Sequence, residues 1–296
     1  MRLLITGWQG QLARSLAEAA TRRPEITALS IGRPALDLCA RPSILRTLAD
    51  NSPDLIVNTA AYTAVDKAET ERDAAFALNR DGAGLLAEAA AVRNIPIIHV
   101  STDYVYDGAK PTPYVETDAT APINVYGASK LAGEQAVAAA NPRHVILRTA
   151  WVHSPFGQNF VKTMLRLAET RPNLTVVADQ LGNPTYAPHL AEAILDVALS
   201  LRGLPSGDPK FGLYHATGTG ETSWHGLASA VFERSRALGG PVADVAPIPS
   251  SSYPTPAKRP ANSRLDCSRL TQVFGVRLPP WQEGAAACVT RLLQPI

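Results

Sequence analysis

Short, unbroken apolar segments alternate with longer helical patterns through the first half of the chain. Strands buried on both faces of a parallel sheet lack the polar alternation of half-exposed strands. The segments predicted as strands are residues 3–6, 26–30, 55–58, 97–100 and 145–147. Strand–helix alternation of this kind indicates an α/β fold, a Rossmann-type doubly wound parallel sheet with right-handed crossovers.

Helical patterns lie between these strands and continue beyond them. The predicted helices cover residues 11–20, 43–49, 72–93, 126–139, 159–169, 187–201, 223–238 and 281–293. After about Trp151 the alternation loosens, and loops rich in proline and glycine become frequent. We therefore expect one domain at residues 1–150, with later segments returning to it, and a smaller mixed lobe at residues 151–296.

Composition excludes several classes of protein. The chain has 296 residues, of which 46% are hydrophobic and 18% charged, and its formal net charge is +2 without a dense basic run. Nucleic-acid binding is therefore not expected. The three cysteines are widely separated, so we predict neither a disulfide framework nor a metal site. We find no signal peptide and no apolar run long enough to span a bilayer, and we expect a cytoplasmic protein without membrane contact.

A strand-to-helix loop near the amino terminus carries two glycines three residues apart, in Thr6-Gly-Trp-Gln-Gly-Gln-Leu-Ala13. Such a loop lets a pyrophosphate approach backbone N–H groups at the start of a helix. An ordinary turn is the alternative for an isolated pair of glycines. Because this pair follows the first strand of a βα unit, we expect Gly7 and Gly10 to bind a dinucleotide, and residues 1–150 to form an NAD(P)-binding domain.

The end of the second predicted strand selects between dinucleotides. An acidic residue there binds the ribose 2′-hydroxyl of NAD, whereas an arginine accommodates the 2′-phosphate of NADP. This chain has Leu29-Ser-Ile-Gly-Arg33, without an acid. We therefore expect NADPH, with Ser30 and Arg33 binding the phosphate, and leave NADH open. For Arg33, the alternative is a solvated loop position. Asp37 follows shortly afterwards; it is either a contact near the adenine or a turn or helix-capping residue.

Tyr126 and Lys130 lie four residues apart on a predicted helix, and therefore on one face. Free tyrosine has a pKa of about 10, and a nearby ammonium favours the phenolate. We expect Lys130 to lower the pKa of Tyr126 enough for the phenol to serve as an acid. Thr102 follows the fourth strand, at the sheet edge where open α/β folds bind ligands. Taken alone, Tyr126 and Lys130 are more typical of a solvated helix, and Thr102 of a strand-end cap; together with the glycine loop they indicate one site.

The order of these motifs resembles the extended short-chain dehydrogenases/reductases, and within them the reductases of dTDP-linked 4-keto-6-deoxysugars. Besides the glycine loop and the stretch from Tyr126 to Lys130, the motifs that carry the resemblance are Asn58-Thr-Ala-Ala-Tyr-Thr-Ala-Val-Asp-Lys-Ala-Glu69, Ser101-Thr-Asp-Tyr-Val-Tyr-Asp-Gly108, Arg148-Thr-Ala-Trp-Val152 and Asp179-Gln-Leu-Gly-Asn-Pro-Thr185. It continues through Ser223-Trp-His225 and the stretch from Tyr253 to Ser263, and so covers nearly the whole chain.

The resemblance implies an NAD(P)H-dependent reduction of the C4 ketone of the sugar. Tyr126 is then the proton donor, Lys130 holds the nicotinamide ribose, and Thr102 tunes the tyrosine or binds the sugar. The implied cofactor contacts are Gly10, Gln11, Leu12, Asp37, Leu38, Ala61, Tyr62 and Thr63, and the implied substrate contacts are Thr102, Asp103 and Trp151. Arg259 and Arg264 are candidates for the pyrophosphate of the nucleotide sugar, because a guanidinium matches phosphate oxygens; surface ion pairs are the alternative.

Three activities remain open at this level. The first is reduction of dTDP-4-dehydro-L-rhamnose to dTDP-L-rhamnose, the second is reduction of another dTDP-4-keto-6-deoxysugar, and the third is a non-catalytic NADP-binding regulatory subunit.

Some relatives bridge two subunits with a divalent metal held by glutamates. This chain has Arg14-Ser15 and Pro188-His189 in those stretches, so we expect a monomer or a homodimer without such a metal.

Overall fold

The computed structural model describes residues 1–294. Its strands are β1 (Arg2–Thr6), β2 (Thr27–Ile31), β3 (Leu55–Asn58), β4 (Ile97–Thr102), β5 (His144–Thr149), β6 (Val152–His153), β7 (Asn173–Val177), β8 (Leu181–Gly182), β9 (Thr185–Tyr186), β10 (Gly212–His215), β11 (Thr222–Ser223) and β12 (Asp244–Ile248). Its helices are α1 (Gln11–Ala20), α2 (Arg41–Asn51), α3 (Val65–Ala68), α4 (Arg72–Phe76), α5 (Ala83–Val92), α6 (Val125–Ala140), α7 (Phe160–Ala168), α8 (Ala187–Ser200), α9 (Trp224–Ala237), α10 (Ser268–Phe274) and α11 (Trp281–Leu293).

Six parallel strands form the central sheet, in the order β10–β5–β4–β3–β1–β2. Successive side chains of a strand point to opposite faces. Leu3 and Ile5 of β1 pack with α1 and α8, whereas Leu4 packs with α2 and α5. Helices cover both faces, which is why the strands contain unbroken apolar runs. The predicted doubly wound α/β fold is confirmed, and most predicted elements lie within two residues of the observed bounds.

The sheet has one strand that the sequence pattern does not predict. β10 pairs with β5, with Tyr214 opposite Leu147, and so forms one edge of the sheet. It has only four residues and follows a loop rich in proline and glycine, so its apolar signal is weak. The last strand of the sheet thus comes from the second half of the chain. The division of the chain at residue 150 stays a prediction.

The long helix predicted at residues 72–93 is interrupted. Between α4 and α5 the chain forms a π-helical segment, Ala77–Gly82, and such segments are frequent at functional sites. The segment contains the buried Asn79, whose amide nitrogen donates to the Tyr62 carbonyl at 3.0 Å and to Ser129 Oγ at 2.9 Å. Its amide oxygen accepts from the Tyr62 N–H at 2.7 Å. One side chain thereby joins the loop after β3 to α6.

A second core lies among α7, α9, α11 and the paired strands β7 and β12. Val161, Leu227 and Val289 are fully buried in it, one from each helix. Amphipathic patterns predict these helices correctly, and α11 has the predicted bounds.

Within residues 1–294, no helix combines the length and apolar character needed to cross a bilayer.

Gly133 lets α6 approach the π-helical segment closely, because a Cβ atom there would overlap the carbonyl oxygen of Asn79. We expect Gly133→Ala to lower the free energy of unfolding by about 1–3 kcal/mol, since backbone must move to admit the methyl group. Urea denaturation measures the change. The control Gln135→Ala, on the exposed side of the same helix, should change stability by less than about 0.5 kcal/mol. Equal effects of the two variants would contradict the close approach.

Candidate active site

A cleft of about 850 Å³ opens where the carboxyl ends of β1, β3, β4 and β5 meet. Open α/β sheets bind their ligands at this edge. The walls of the cleft come from the loops after these strands, from α6 and from Trp224 of α9. Both halves of the chain therefore contribute to one depression.

Most of the residues predicted from the sequence line this cleft. They are Gly7, Gly10, Gln11, Leu12, Arg33, Leu38, Ala61, Thr63, Thr102, Asp103, Tyr126, Lys130 and Trp151. Five predicted residues do not line it: Ser30, Asp37, Tyr62, Arg259 and Arg264. The glycine loop is thus brought to the same place as Thr102 and the pair Tyr126 and Lys130, which follow it much later in the chain.

The glycine loop has the geometry of an anion-binding turn. Gly7 adopts φ +87°, a left-handed conformation that side chains other than glycine rarely adopt. Its N–H donates to the Ile31 carbonyl at 2.7 Å, which ties the loop to β2. Gly10 precedes α1 and offers no side-chain cap, and the first turn holds no acidic residue. The N–H groups at the start of α1 therefore lack a side-chain acceptor, and they line the cleft through Gln11 and Leu12.

Arg33 and Asp37 form an ion pair at the mouth of the cleft. The Asp37 carboxylate accepts from Arg33 Nη2 at 3.1 Å and from the Cys39 N–H at 2.9 Å. These donors hold the pKa of Asp37 below its usual value, the Cys39 N–H contributing most. Asp37 therefore orients the Arg33 side chain, which is 65% exposed, instead of lining the cleft itself. The Ser30 hydroxyl is buried, and no hydrogen-bond partner within residues 1–294 reaches it.

Tyr62 and Arg259 are held outside the cleft by carboxylates. The Tyr62 hydroxyl donates to Glu71 Oε2 at 2.6 Å. Arg259 makes a two-pronged pair with Asp66, with Nη1 at 3.0 Å and Nη2 at 2.9 Å from its oxygens.

Arg264 likewise donates to Glu221 Oε1 at 2.8 Å. The ion pairs that the sequence offered as the alternative for both arginines are present, and their contacts with a substrate stay predictions.

Helix α6 delivers Tyr126 and Lys130 to the cleft. Asn124 caps it by accepting from the Gly127 N–H at 2.8 Å. A Cβ atom on Gly127 would collide with the Tyr104 carbonyl, so the absence of a side chain lets the helix begin directly beside the end of β4. The Tyr126 ring then packs edge-on against Tyr104, with centroids 5.8 Å apart.

Lys130 is almost completely buried, with 2% of its surface exposed. Its Nζ donates to the Val100 carbonyl at 2.7 Å and lies 3.5 Å from His99 Nε2. Burial lowers the pKa of Lys130 to about 8, and the carboxylate of Glu134 acts in the opposite direction. The lysine therefore changes charge near physiological pH.

The expected lowering of the pKa of Tyr126 is not found in the structure. Burial is the main cause that raises this pKa to about 12; hydrogen bonding by Thr102 opposes the rise, and the Asp103 carboxyl adds to it. Lys130 directs an N–H at the backbone of β4, and desolvation of the phenol is the dominant effect. The phenol is consequently protonated at neutral pH.

Thr102, the last residue of β4, and Asp103, which follows it, have buried polar side chains. The Thr102 hydroxyl donates to Asp103 Oδ1 at 2.9 Å and accepts from the Tyr104 N–H at 3.2 Å. Burial raises the pKa of Asp103 to about 7, although hydrogen bonds from Ser263 and Thr102 lower it. The other oxygen, Oδ2, is buried without a partner within residues 1–294. This carboxyl lines the cleft with unused hydrogen-bonding capacity.

Two tryptophans from different elements form one wall of the cleft. The rings of Trp151 and Trp224 stack at 3.6 Å with an angle of 6° between their planes. Trp151 has φ 47°, and Gly182 leaves the space that its indole fills. Trp224 is absent from the predicted site residues. The sequence does hold a signal for it: Trp224 directly follows Ser223, whose side chain caps α9, and the tryptophan therefore stands in the first turn of that helix.

Within residues 1–294 no cluster of three or more metal-ligating side chains is found.

Comparison with known proteins agrees with this geometry. The family model described as RmlD substrate binding domain matches residues 1–294. The dTDP-4-dehydrorhamnose reductase of Sinorhizobium fredii is 53% identical over 99% of this chain and 98% of that protein. The enzyme of the same name from Burkholderia thailandensis is 43% identical over 99% of both chains.

Among solved structures, the dTDP-4-dehydrorhamnose reductase of Bacillus anthracis in complex with NADP superposes with a TM-score of 0.89. Its sequence is 35% identical, and the match covers 97% of this chain and 98% of that one. The resemblance predicted from the motifs is confirmed, and the protein belongs to the RmlD substrate binding domain family.

Proposed function

We propose that the protein reduces the C4 ketone of dTDP-4-dehydro-L-rhamnose to an alcohol, giving dTDP-L-rhamnose, with NADPH as the reductant. One observation carries the proposal: Tyr126 and Lys130 line the same cleft as the glycine loop before α1. Relatives over the full length of the chain bear the name of this activity, and one of them is in complex with NADP.

The cofactor would lie along the carboxyl edge of β1, β2 and β3. Gly7, Gly10 and the free N–H groups of α1 suit its pyrophosphate. Arg33 would meet the 2′-phosphate at the cleft mouth, with its guanidinium oriented by Asp37. NADPH, when bound, supplies the hydride that reduces the carbonyl carbon.

Tyr126 would supply the proton that the carbonyl oxygen takes up as it becomes an alcohol. With a pKa of about 12 the phenol carries its proton throughout the neutral range, and a positioned acid of this kind assists the developing alkoxide. The phenolate left behind is then stabilised by the Thr102 hydroxyl and by the nearby cation of Lys130.

The sugar would lie between Tyr126 and the tryptophan wall. Apolar ring faces of Trp151 and Trp224 suit the deoxy face of a 6-deoxysugar, and the Asp103 carboxyl, which lines the cleft, suits a ring hydroxyl. Residues 151–294 contribute this side of the cleft, which supports a mainly substrate-binding role for the second lobe. A monomeric or homodimeric state and a cytoplasmic setting stay predictions.

The direct test combines the protein, NADPH and enzymatically made dTDP-4-dehydro-L-rhamnose, and follows the decrease of NADPH absorbance. We expect turnover, with dTDP-L-rhamnose as the product. Turnover with a different dTDP-4-keto-6-deoxysugar alone would replace the proposed substrate. Tight NADPH binding without turnover of any such sugar would indicate a regulatory subunit instead.

The matched control for that assay is Tyr126→Phe, which removes one hydroxyl from the cleft. General acid catalysis contributes about 10²–10⁴-fold, so we expect kcat to fall at least about 100-fold. The Kd of NADPH, measured by fluorescence, should change little. Substantial residual turnover would remove the proton-donor role from Tyr126.

The pH dependence of kcat/KM should follow the charge of Lys130. The lysine is charged below its pKa of about 8 and neutral above it. A reaction that needs the cation is therefore supported at lower pH, and kcat/KM should decline as the pH rises above about 8. In Lys130→Arg, whose guanidinium stays charged, any residual activity should lack this decline. A profile of the unmodified enzyme that is flat up to pH 10 would exclude the requirement.

Cofactor preference should depend on Arg33. We expect Arg33→Ala to raise the Kd of NADPH about 10-fold, because it removes a charge-assisted contact with phosphate. The Kd of NADH should change little. Arg46→Ala, at an exposed position of α2, serves as the control for loss of a positive charge. Equal weakening of both cofactors in the Arg33 variant would discard the contact with the 2′-phosphate.

A further inference from the structure

A buried row of polar side chains leads from Thr6, at the floor of the cleft, to the inner side of Lys130. His99 Nδ1 is 3.0 Å from Asn58 Nδ2, and the Thr6 hydroxyl oxygen is 2.6 Å from Asn58 Oδ1. None of the three side chains is more than 1% exposed. With Lys130 Nζ 3.5 Å from His99 Nε2, the row runs from the end of β1 through β3 and β4 to the amine on α6.

Thr6 fixes the direction of every hydrogen bond in this row. Its Oγ1 accepts from the backbone N–H of Thr59 at 3.1 Å and of Ala60 at 3.2 Å. A hydroxyl oxygen has two acceptor positions and one proton. Both acceptor positions are therefore used, and the proton is donated to Asn58 Oδ1. The amide nitrogen of Asn58 must then face His99.

The orientation of the Asn58 amide in turn fixes the tautomer of the His99 imidazole. Because Asn58 presents an N–H to Nδ1, this ring nitrogen is an acceptor and carries no proton. A neutral imidazole with an accepting Nδ1 holds its proton on Nε2, and the Nε2–H of His99 faces the amine of Lys130. A second proton has no place on the ring. Burial and the charge of Lys130 accordingly hold the pKa of His99 well below 6.5.

We propose that His99 is a positioning residue for Lys130: its fixed Nε2–H offers the amine no acceptor on the inner side and turns the free N–H groups of the lysine toward the cleft. One N–H remains committed to the Val100 carbonyl. The others are directed to the region where, under the proposed function on which this inference rests, the cofactor ribose and the phenolate lie.

The other charged groups around Lys130 do not supply this orientation. Glu134, one turn later on α6, favours the ammonium but is held by Arg148 at 2.6 Å and 2.9 Å. His144 of β5 acts on His99, and Asp103 at the end of β4 acts on Tyr126. Within residues 1–294, the imidazole is the one side chain within hydrogen-bond reach of Nζ, besides the backbone carbonyl of Val100.

The tautomer can be observed without any activity measurement. In the full-length protein labelled with ¹⁵N-histidine, and with His99→Gln for assignment, we expect Nδ1 of His99 to resonate as an unprotonated nitrogen and Nε2 as a protonated one from pH 6 to 8. A proton on Nδ1, or on both nitrogens, would overturn the proposal. The result is independent of which sugar, if any, is reduced.

A pair of substitutions at Asn58 tests the effect on the lysine. In Asn58→Asp the carboxylate accepts from both neighbours, so His99 must carry its proton on Nδ1, and Nε2 becomes an acceptor for the ammonium. We expect the pKa of Lys130, followed by NMR of ¹³C-labelled lysine, to rise by about one unit, and kcat to fall about 10-fold.

The uncharged variant Asn58→Leu releases the tautomer without adding a charge, and it should raise the pKa of Lys130 in the same direction. Thr6→Ser keeps the hydroxyl and should leave the tautomer of His99 unchanged. A rise in Asn58→Asp alone would assign the effect to the new carboxylate and overturn the positioning role. Loss of turnover with every sugar, alongside the expected tautomer, would instead remove the proposed function.

Discussion

Burial of the Lys130 amine is the constraint around which the rest of the site is arranged. An ammonium removed from water is costly unless it is hydrogen-bonded. Val100 supplies a carbonyl at 2.7 Å, which requires α6 to lie close against the end of β4. Gly127 makes that approach possible, because a side chain there would collide with the Tyr104 carbonyl, and Gly133 gives α6 the same freedom against the π-helical segment. Packing of the helix and chemistry of the lysine therefore depend on the same contact.

The same burial changes the interpretation of the tyrosine–lysine pair. A pair on one helix face suggests an acidic phenol, but the structure holds a phenol with a raised pKa and an amine with a lowered one. Desolvation acts on both groups in the direction of their neutral forms. A neutral phenol is a proton donor without prior tuning, and the amine changes charge within the range in which the enzyme would work.

Sequence patterns predict the sheet well because each central strand is buried on both faces, as Leu3 and Leu4 of β1 illustrate. They also locate Tyr126, Lys130 and the glycine loop, since these depend on local spacing. They miss β10, which is short and pairs with its neighbour β5, and the π-helical segment, in which Asn79 makes tertiary contacts that local sequence does not reveal. They place Arg259 in the cleft because a guanidinium suits phosphate, but the structure pairs it with Asp66.

Asn79 also determines how tightly the two sides of the cleft are coupled. Its amide contacts the loop after β3 through both backbone groups of Tyr62, and α6 through Ser129, the neighbour of Lys130. The extra residue of the π turn places that amide where a regular helix would not. The Asn79 amide therefore fixes the position of the loop after β3 relative to the helix that carries Tyr126 and Lys130.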